Sequence, residues 1–255
     1  MKYFFILGAC LWVYMTGWYI VSVFKKRNDV ADVAWGIGFI LLSWLSLALS
    51  VEVSARGLIL AVLVTVWGMR LAVHIFRRNR GKAEDYRYQA WRQAWGKWFY
   101  LRSYGQVYLL QGALLFLITV PILLVNKNIG QPLGHSDLLG VLVWVLGFVF
   151  EAVGDAQLAT FIKNPENKGG LLQAGLWKYT RHPNYFGEVT QWWGVWLVAM
   201  GAQISWISII GPLTISVLIL KVSGIPMLEK KMQENAAFAE YARRTNKFFP
   251  WLPKK

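Results

Sequence analysis

Long apolar runs, separated by short polar segments, recur from one end of this 255-residue chain to the other. A bilayer core about 30 Å thick is crossed by about 20 apolar helical residues. The runs therefore predict an all-α, polytopic integral membrane protein with seven transmembrane helices. They are expected at about 3–24, 33–50, 57–76, 104–125, 137–161, 185–200 and 204–223 within a single transmembrane domain, 1–255. The first run resembles a signal peptide, but it stays apolar to Phe24 with no good cleavage site after Tyr14, so it reads as a retained span. After the last run, 227–245 (MLEKKMQENAAFAEYARRT) has helix-forming composition and spaced apolar positions. It predicts one amphipathic helix on the cytoplasmic face.

Charge sets the orientation. One alternating set of loops (25–32, 77–103, 162–184, 224–255) carries 22 Lys and Arg, and the other set carries 3. The positive-inside rule then puts the N-terminus outside and the C-terminus in the cytoplasm. The net charge of +14 raises nucleic acid as a partner, but cations confined to short loops between spans mark a membrane partner instead. Only 16% of residues are charged, against about 25% in soluble domains. The single cysteine, Cys10, excludes an intrachain disulfide. Loop 77–103 mixes basic and aromatic residues, which suits either an interfacial segment at headgroup level or part of an anionic cosubstrate site.

Ionisable residues inside spans are costly and are functional candidates by default. Arg70, His74 and Arg78 follow i, i+4, i+8 and share one helix face. Such a row suits a multiply charged phosphate; snorkelling from the helix end is the other reading. Glu151 and Asp155, at i and i+4, repel unless something sits between them. They read either as partners for Arg70 or Lys221, or as acceptors for ribose hydroxyls or an amide. With three histidines and no H-x-x-x-H spacing, no metal site is expected. Asp29 and Asp32 open the second span on one face with Trp35, and a helix cap accounts for Asp29 better than for Asp32.

The stretch GLWKYTRHPNYFGE, 175–188, concentrates charge between two apolar runs. Pro183 biases His182 toward extended backbone and suits the first turn of the sixth span. That helix start offers free N–H groups, with Arg181 beside them and Glu188 one turn in. The arrangement reads as an anion site at the cytoplasmic face.

Gly-Leu-Trp-x-x-x-Arg-His-Pro-Asn-Tyr-x-Gly-Glu, followed by a tryptophan-rich span, resembles the C-terminal half of the steroid 5-alpha-reductase family. The likeness runs over about 140–255 and more weakly over 25–90. It is nearest to a bacterial, DUF1295-like branch marked by Asp29-x-x-Asp32-x-x-Trp35-Gly36. Isoprenylcysteine methyltransferases and sterol C14 reductases share a related Arg-His-Pro-x-Tyr-x-Gly motif. The resemblance implies a seven-helix enzyme in a bacterial inner membrane. Such enzymes take NADPH from the cytoplasm and reduce a carbon–carbon double bond conjugated to a carbonyl in a lipid or steroid-like molecule. It implies that Asn184 and Glu188 hold the nicotinamide end, with Arg181, His182 and Tyr185 in the same motif. Asp155 and Glu151 would hold the adenosine part, and Arg70, His74 and Arg78 would lie near the phosphates. The Gln-Glu pair that binds a steroid carbonyl in that family is replaced by Gly38 and Phe39, and Trp67 and Met69 stand where a tyrosine is expected. Asp32 is the candidate substitute as proton donor. Two other readings stay open: a SAM-dependent methyltransferase, since 229–253 also resembles the isoprenylcysteine enzymes, and a non-enzymatic lipid-binding membrane protein.

Overall fold

The computed structural model describes residues 1–128 and 131–254. Residues 129–130, between the expected fourth and fifth spans, and residue 255 lie outside the described residues. Regular structure among the described residues is helical throughout. Six helical stretches are long and apolar enough to cross a membrane: Lys2–Lys25, Val30–Ala48, Ala55–Asn79, Tyr86–Lys127, His135–Lys163 and Trp206–Met232. They cover six of the expected spans. The remaining one, 185–200, forms the helix Pro183–Met200, which falls outside that group because Asn184, Glu188, Thr190 and Gln191 lower its hydropathy. The chain divides into two compact units, Met1–Gly134 with Ala199–Gly211, and His135–Val198 with Pro212–Lys255.

The first unit holds α1 (Lys2–Lys25), α2 (Val30–Ala48), α3 (Ala55–Asn79), α4 (Tyr86–Trp95), α5 (Phe99–Ser103) and α6 (Leu110–Lys127). Ser54 starts α3 by accepting from the Gly57 N–H at 3.0 Å, and Asp85 starts α4 by accepting from the Arg87 N–H at 3.0 Å. Each cap satisfies a donor the helix leaves open. A π-helical turn, Tyr104–Leu109, joins α5 to α6. Helices α2 and α3 meet backbone to backbone, since a Cβ on Gly36 would stand 2.7 Å from the Gly68 carbonyl oxygen.

The basic loops of this unit are tied by ion pairs. Arg27 grips Asp29 through two bonds of 2.7 and 2.6 Å. Arg92 donates to Glu84 at 3.1 Å, and Arg87 donates to Asp85 at 2.9 Å and to Asp32 at 3.0 Å. Asp29, expected as a side-chain cap of α2, makes no cap bond; its carboxylate is spent on Arg27. Burial pushes the Asp85 carboxyl up, but the Arg87 hydrogen bonds and charge outweigh it and hold Asp85 below its ordinary range.

The second unit holds α7 (His135–Lys163), α8 (Pro183–Met200), most of α9 (Ile210–Val217), α10 (Ile225–Met232) and α11 (Phe238–Arg244). The expected single helix over 227–245 is therefore corrected to two, α10 and α11. Asn235 accepts from the Ala237 N–H at 2.9 Å and donates to the Gly169 carbonyl at 2.6 Å. That local turn competes with helix continuation. Phe238 and Tyr241 of α11 are buried, so this helix packs on the protein as well as presenting a charged face.

Glycines at seven-residue spacing line the seam between α7 and α8. A Cβ on Gly140 would stand 2.7 Å from the Gly194 carbonyl oxygen, and one on Gly147 would stand 2.6 Å from that of Gly187. Gly154 lies against Pro183 and the Asn184 nitrogen. Small residues let membrane helices approach to backbone contact, and a side chain here must force them apart. Gly147→Leu is expected to destabilise the protein by about 1–3 kcal/mol or more, read as a lowered melting temperature in detergent. Gly8→Ala, where a Cβ meets nothing within 4 Å, should leave it unchanged; equal melting of both variants would remove the seam from the account.

Candidate functional site

The close α7–α8 seam places two carboxylates against two amides. Glu151 and Asp155 lie one turn apart on α7, both buried. Across the seam, Gln191 Nε2 donates to Glu151 Oε2, and Asn184 Nδ2 donates to Asp155 Oδ1 at 3.1 Å. Each amide thus spends its N–H on a carboxylate. The opposite atoms, Asn184 Oδ1 and Gln191 Oε1, are buried and accept no hydrogen bond from the protein. Gln191 is 1% exposed. A buried acceptor without a donor costs about 1–3 kcal/mol, so the cluster suits a ligand that brings N–H or O–H donors. Among the described residues, no three His, Cys, Asp or Glu side chains converge as a metal site would require.

The approach to this cluster is built by the turn before α8. Pro183 is the first residue of α8, as its fixed φ favours. Upstream, Trp177 Nε1 donates to the Gly154 carbonyl at 3.1 Å, and the Leu176 N–H donates to Gln157 Oε1 at 3.0 Å. These bonds fasten the turn to α7. Tyr185 stacks on the His182 ring with centroids 5.7 Å apart, and Glu188 follows one turn along α8, half-buried.

Arg181 departs from expectation. It was to lend charge to an anion at the helix start; its guanidinium is instead only 7% exposed and is committed to the C-terminal segment. It donates to Glu229 Oε1 at 2.8 Å and to the Ala242 and Thr245 carbonyls at 3.1 and 2.7 Å. His182 Nε2 meets the same Glu229 oxygen at 3.1 Å, and Lys247 Nζ lies 3.5 Å from Glu229 Oε2. The backbone continues the fastening: the Arg181 N–H donates to the Asn246 carbonyl at 2.9 Å and the Trp251 N–H to the Tyr179 carbonyl at 3.0 Å. The Tyr241 hydroxyl donates to the Trp177 carbonyl at 2.6 Å. Arg181 and Glu229 are therefore the clasp that lays the C-terminal segment along the turn.

In the first unit, Arg70, His74 and Arg78 fall on the last three turns of α3, as their spacing predicts. Arg78 is exposed and donates to Asn79 Oδ1 at 3.2 Å. Asp32, the candidate proton donor, accepts at both oxygens: from Arg87 at 3.0 Å and from the buried Tyr88 hydroxyl at 2.8 Å. Its carboxyl is thus tied to the α4 segment by both oxygens. Phe39 is fully buried between Trp35 and Trp67, with ring centroids 5.1 and 5.3 Å away. The position that would bind a steroid carbonyl is aromatic core.

A family described as "Protein of unknown function (DUF1295)" matches residues 18–245. The chain belongs to the DUF1295 family. It is 28% identical to an uncharacterized protein of Schizosaccharomyces pombe over 285 aligned positions, covering 97% of this chain and 78% of that protein. It is also 35% identical over 97 residues to the probable O-methyltransferase ustE of Ustilaginoidea virens, covering 38% of this chain and 34% of that protein. No solved structure matches.

For this DUF1295 protein, the residues that sequence reasoning missed are Gln191 as the partner of Glu151, the glycines that bring it there, and Glu229 as the partner of Arg181 and His182. The Gly140, Gly147, Gly154 heptad was a readable signal for the seam. Nothing local marked Glu229, because its partners lie 47 and 48 residues away.

The clasp gives a pH dependence. Burial pushes His182 below its ordinary range; the Glu229 hydrogen bond and charge oppose this, and Arg181 and Lys247 reinforce it. Below pH about 6.5 the unfolded chain then takes up a proton that the folded one resists, so the unfolded state binds more protons and stability falls with pH. Melting temperature in detergent should be flat above about pH 6.5 and decline below it, and His182→Gln should shallow that decline. An identical decline in the variant would assign the effect elsewhere.

Proposed function

We propose that this protein is a membrane-embedded, NADPH-dependent reductase of a carbon–carbon double bond conjugated to a carbonyl in a lipid or steroid-like substrate. The observation that carries the reading is the buried acid–amide cluster with its two unsatisfied amide oxygens, one on Asn184 inside the Arg181–Glu188 motif and one on Gln191 about a turn beyond it. A nicotinamide carboxamide brings two N–H donors that fit Asn184 Oδ1, and a ribose hydroxyl, itself a donor, fits Gln191 Oε1. When bound, NADPH supplies a hydride for the β carbon of the enone.

In this reading the chain's own residues position and exclude. Asp155 fixes the Asn184 amide so that its oxygen, not its NH₂, faces a carboxamide. Glu151 does the same for Gln191. Tyr185 and His182 form an aromatic wall at the start of α8, and Glu188 accepts from a donor one turn deeper. The loop charges favour a cytoplasmic C-terminus, and with it access to NADPH from the cytoplasm across a bacterial inner membrane.

A second reading, SAM-dependent methyl transfer, is favoured by the 97-residue likeness to the probable O-methyltransferase. SAM is cationic, and a cluster of carboxylates with its one nearby arginine neutralised by Glu229 accommodates such a ligand.

Titration of the purified protein with NADPH, NADH, SAM and S-adenosylhomocysteine separates the two. A hundredfold excess over the dissociation constant raises stability by about 2.7 kcal/mol, which a melting curve resolves. A shift with NADPH and none with SAM or S-adenosylhomocysteine is expected; the reverse establishes methyl transfer, and none at all overturns both. Asn184→Ala should weaken NADPH about tenfold or more, since it removes a hydrogen bond to a buried donor, and Glu188→Gln should weaken it in the same direction. Unchanged affinity in both variants would remove the site assignment.

A further inference from the structure

The structure assigns to the first unit a binding site for one anionic phospholipid, distinct from the acid–amide cluster. An apolar groove of about 410 Å³ runs between α1 and α6, lined by Gly8, Trp12, Met15, Leu109, Gly112 and Phe116 among others. Its volume is in the range of ligand pockets. Two glycines make the groove, since Gly8 leaves open space and Gly112 admits the Met15 side chain. Trp12 is 55% exposed, so the groove opens on the outer surface of the unit.

The groove points to one charged end. The two helical stretches run side by side there: Thr16 Oγ1 lies 3.1 Å from the Tyr104 hydroxyl, and Tyr19 packs on Tyr104 and Tyr108 with centroids 4.9 and 5.5 Å apart. Beyond those tyrosines, α1 ends at Lys25, followed by Lys26, and α5 carries Arg102 two residues before Tyr104. All three cations are exposed. From Met15 to Lys25 is about 15 Å at about 1.5 Å per residue, which matches one leaflet of a hydrocarbon core about 30 Å thick. An acyl chain in the groove therefore has its phosphate level with Lys25, Lys26 and Arg102.

Charge complementarity selects an anionic headgroup. The four acids of this region are already paired with arginines: Asp29 with Arg27, Asp32 and Asp85 with Arg87, and Glu84 with Arg92. Among the described residues no carboxylate pairs with Lys25, Lys26 or Arg102. The acids are turned inward with three arginines, and the cations left at the surface face the headgroups. A zwitterionic lipid brings a choline that they repel.

The test uses the full chain, purified and exchanged into mixed micelles containing dioleoyl-phosphatidylglycerol or dioleoyl-phosphatidylcholine, and read by native mass spectrometry. Wild type is expected to retain one phosphatidylglycerol in preference to phosphatidylcholine by about a hundredfold, for three cations each contributing at the scale of juxtamembrane basic residues. Lys25→Gln/Lys26→Gln/Arg102→Gln should retain the two lipids equally, and Gly8→Leu, which fills the groove where a Cβ meets nothing, should retain neither. Inorganic phosphate should not displace the lipid from wild type. Equal retention of both lipids by wild type, undiminished selectivity in the triple variant, or displacement by phosphate alone would overturn the proposal.

Discussion

The second unit depends on how closely α7 and α8 approach. Their backbones touch at Gly140 against Gly194 and at Gly147 against Gly187. In lipid, helices gain little by burying more apolar surface against one another, so close packing and interhelical hydrogen bonds decide where they meet. Removing side chains at one position in seven gives the contact. It also fixes the rotation of each helix about its axis. That rotation turns Glu151 and Asp155 toward Gln191 and Asn184 instead of toward lipid, where a carboxylate is costly. The polar chemistry of the unit follows from an apolar packing rule.

The acid–amide pairs leave a directional residue of that packing. An amide whose N–H is held by a carboxylate cannot turn to offer it elsewhere, so its oxygen is fixed as an acceptor. Two such acceptors, buried and unmet, ask for donors from outside the chain. The turn ahead of α8 is held from three sides, by α7 through Trp177 and Leu176, by α11 through Tyr241, and by the C-terminal segment through Arg181 and Glu229. Loops that carry function are usually supported by a rigid scaffold. Here the support is a clasp of ion pairs and backbone hydrogen bonds drawn from residues more than 45 positions away.

The first unit handles its charges by sorting them. Three arginines take in four carboxylates and stitch the segment after α1 to the segment after α3. The remaining lysines and arginines of these two loops stay exposed. One sequence-level quantity, the basic surplus of two loops, thus contains two populations: one holds the loops together, and the other stays exposed.

The apolar runs by themselves determined the helical membrane architecture, because a segment of that length and composition must satisfy its backbone internally in lipid. They also located most of the spans to within a few residues, though α4 and α5 lie within the expected loop 77–103, and Pro183 marked the start of α8, since its φ and missing N–H suit a first turn. Spacing determined that Glu151 and Asp155 share a face, and that Arg70, His74 and Arg78 do. Tertiary structure alone decided what those faces meet. Arg181 reads the same in sequence whether it binds a ligand or a carboxylate, and only the position of Glu229 settled its use. Asp32 reads as a lone acid at a helix start, and only the fold shows Arg87 and Tyr88 bonded to it. The break between α10 and α11 likewise follows from an Asn235 turn bonded to Gly169, a partner 66 residues distant. Periodicity records which side of a helix a residue occupies, while partner choice depends on contacts between segments that the local pattern does not encode.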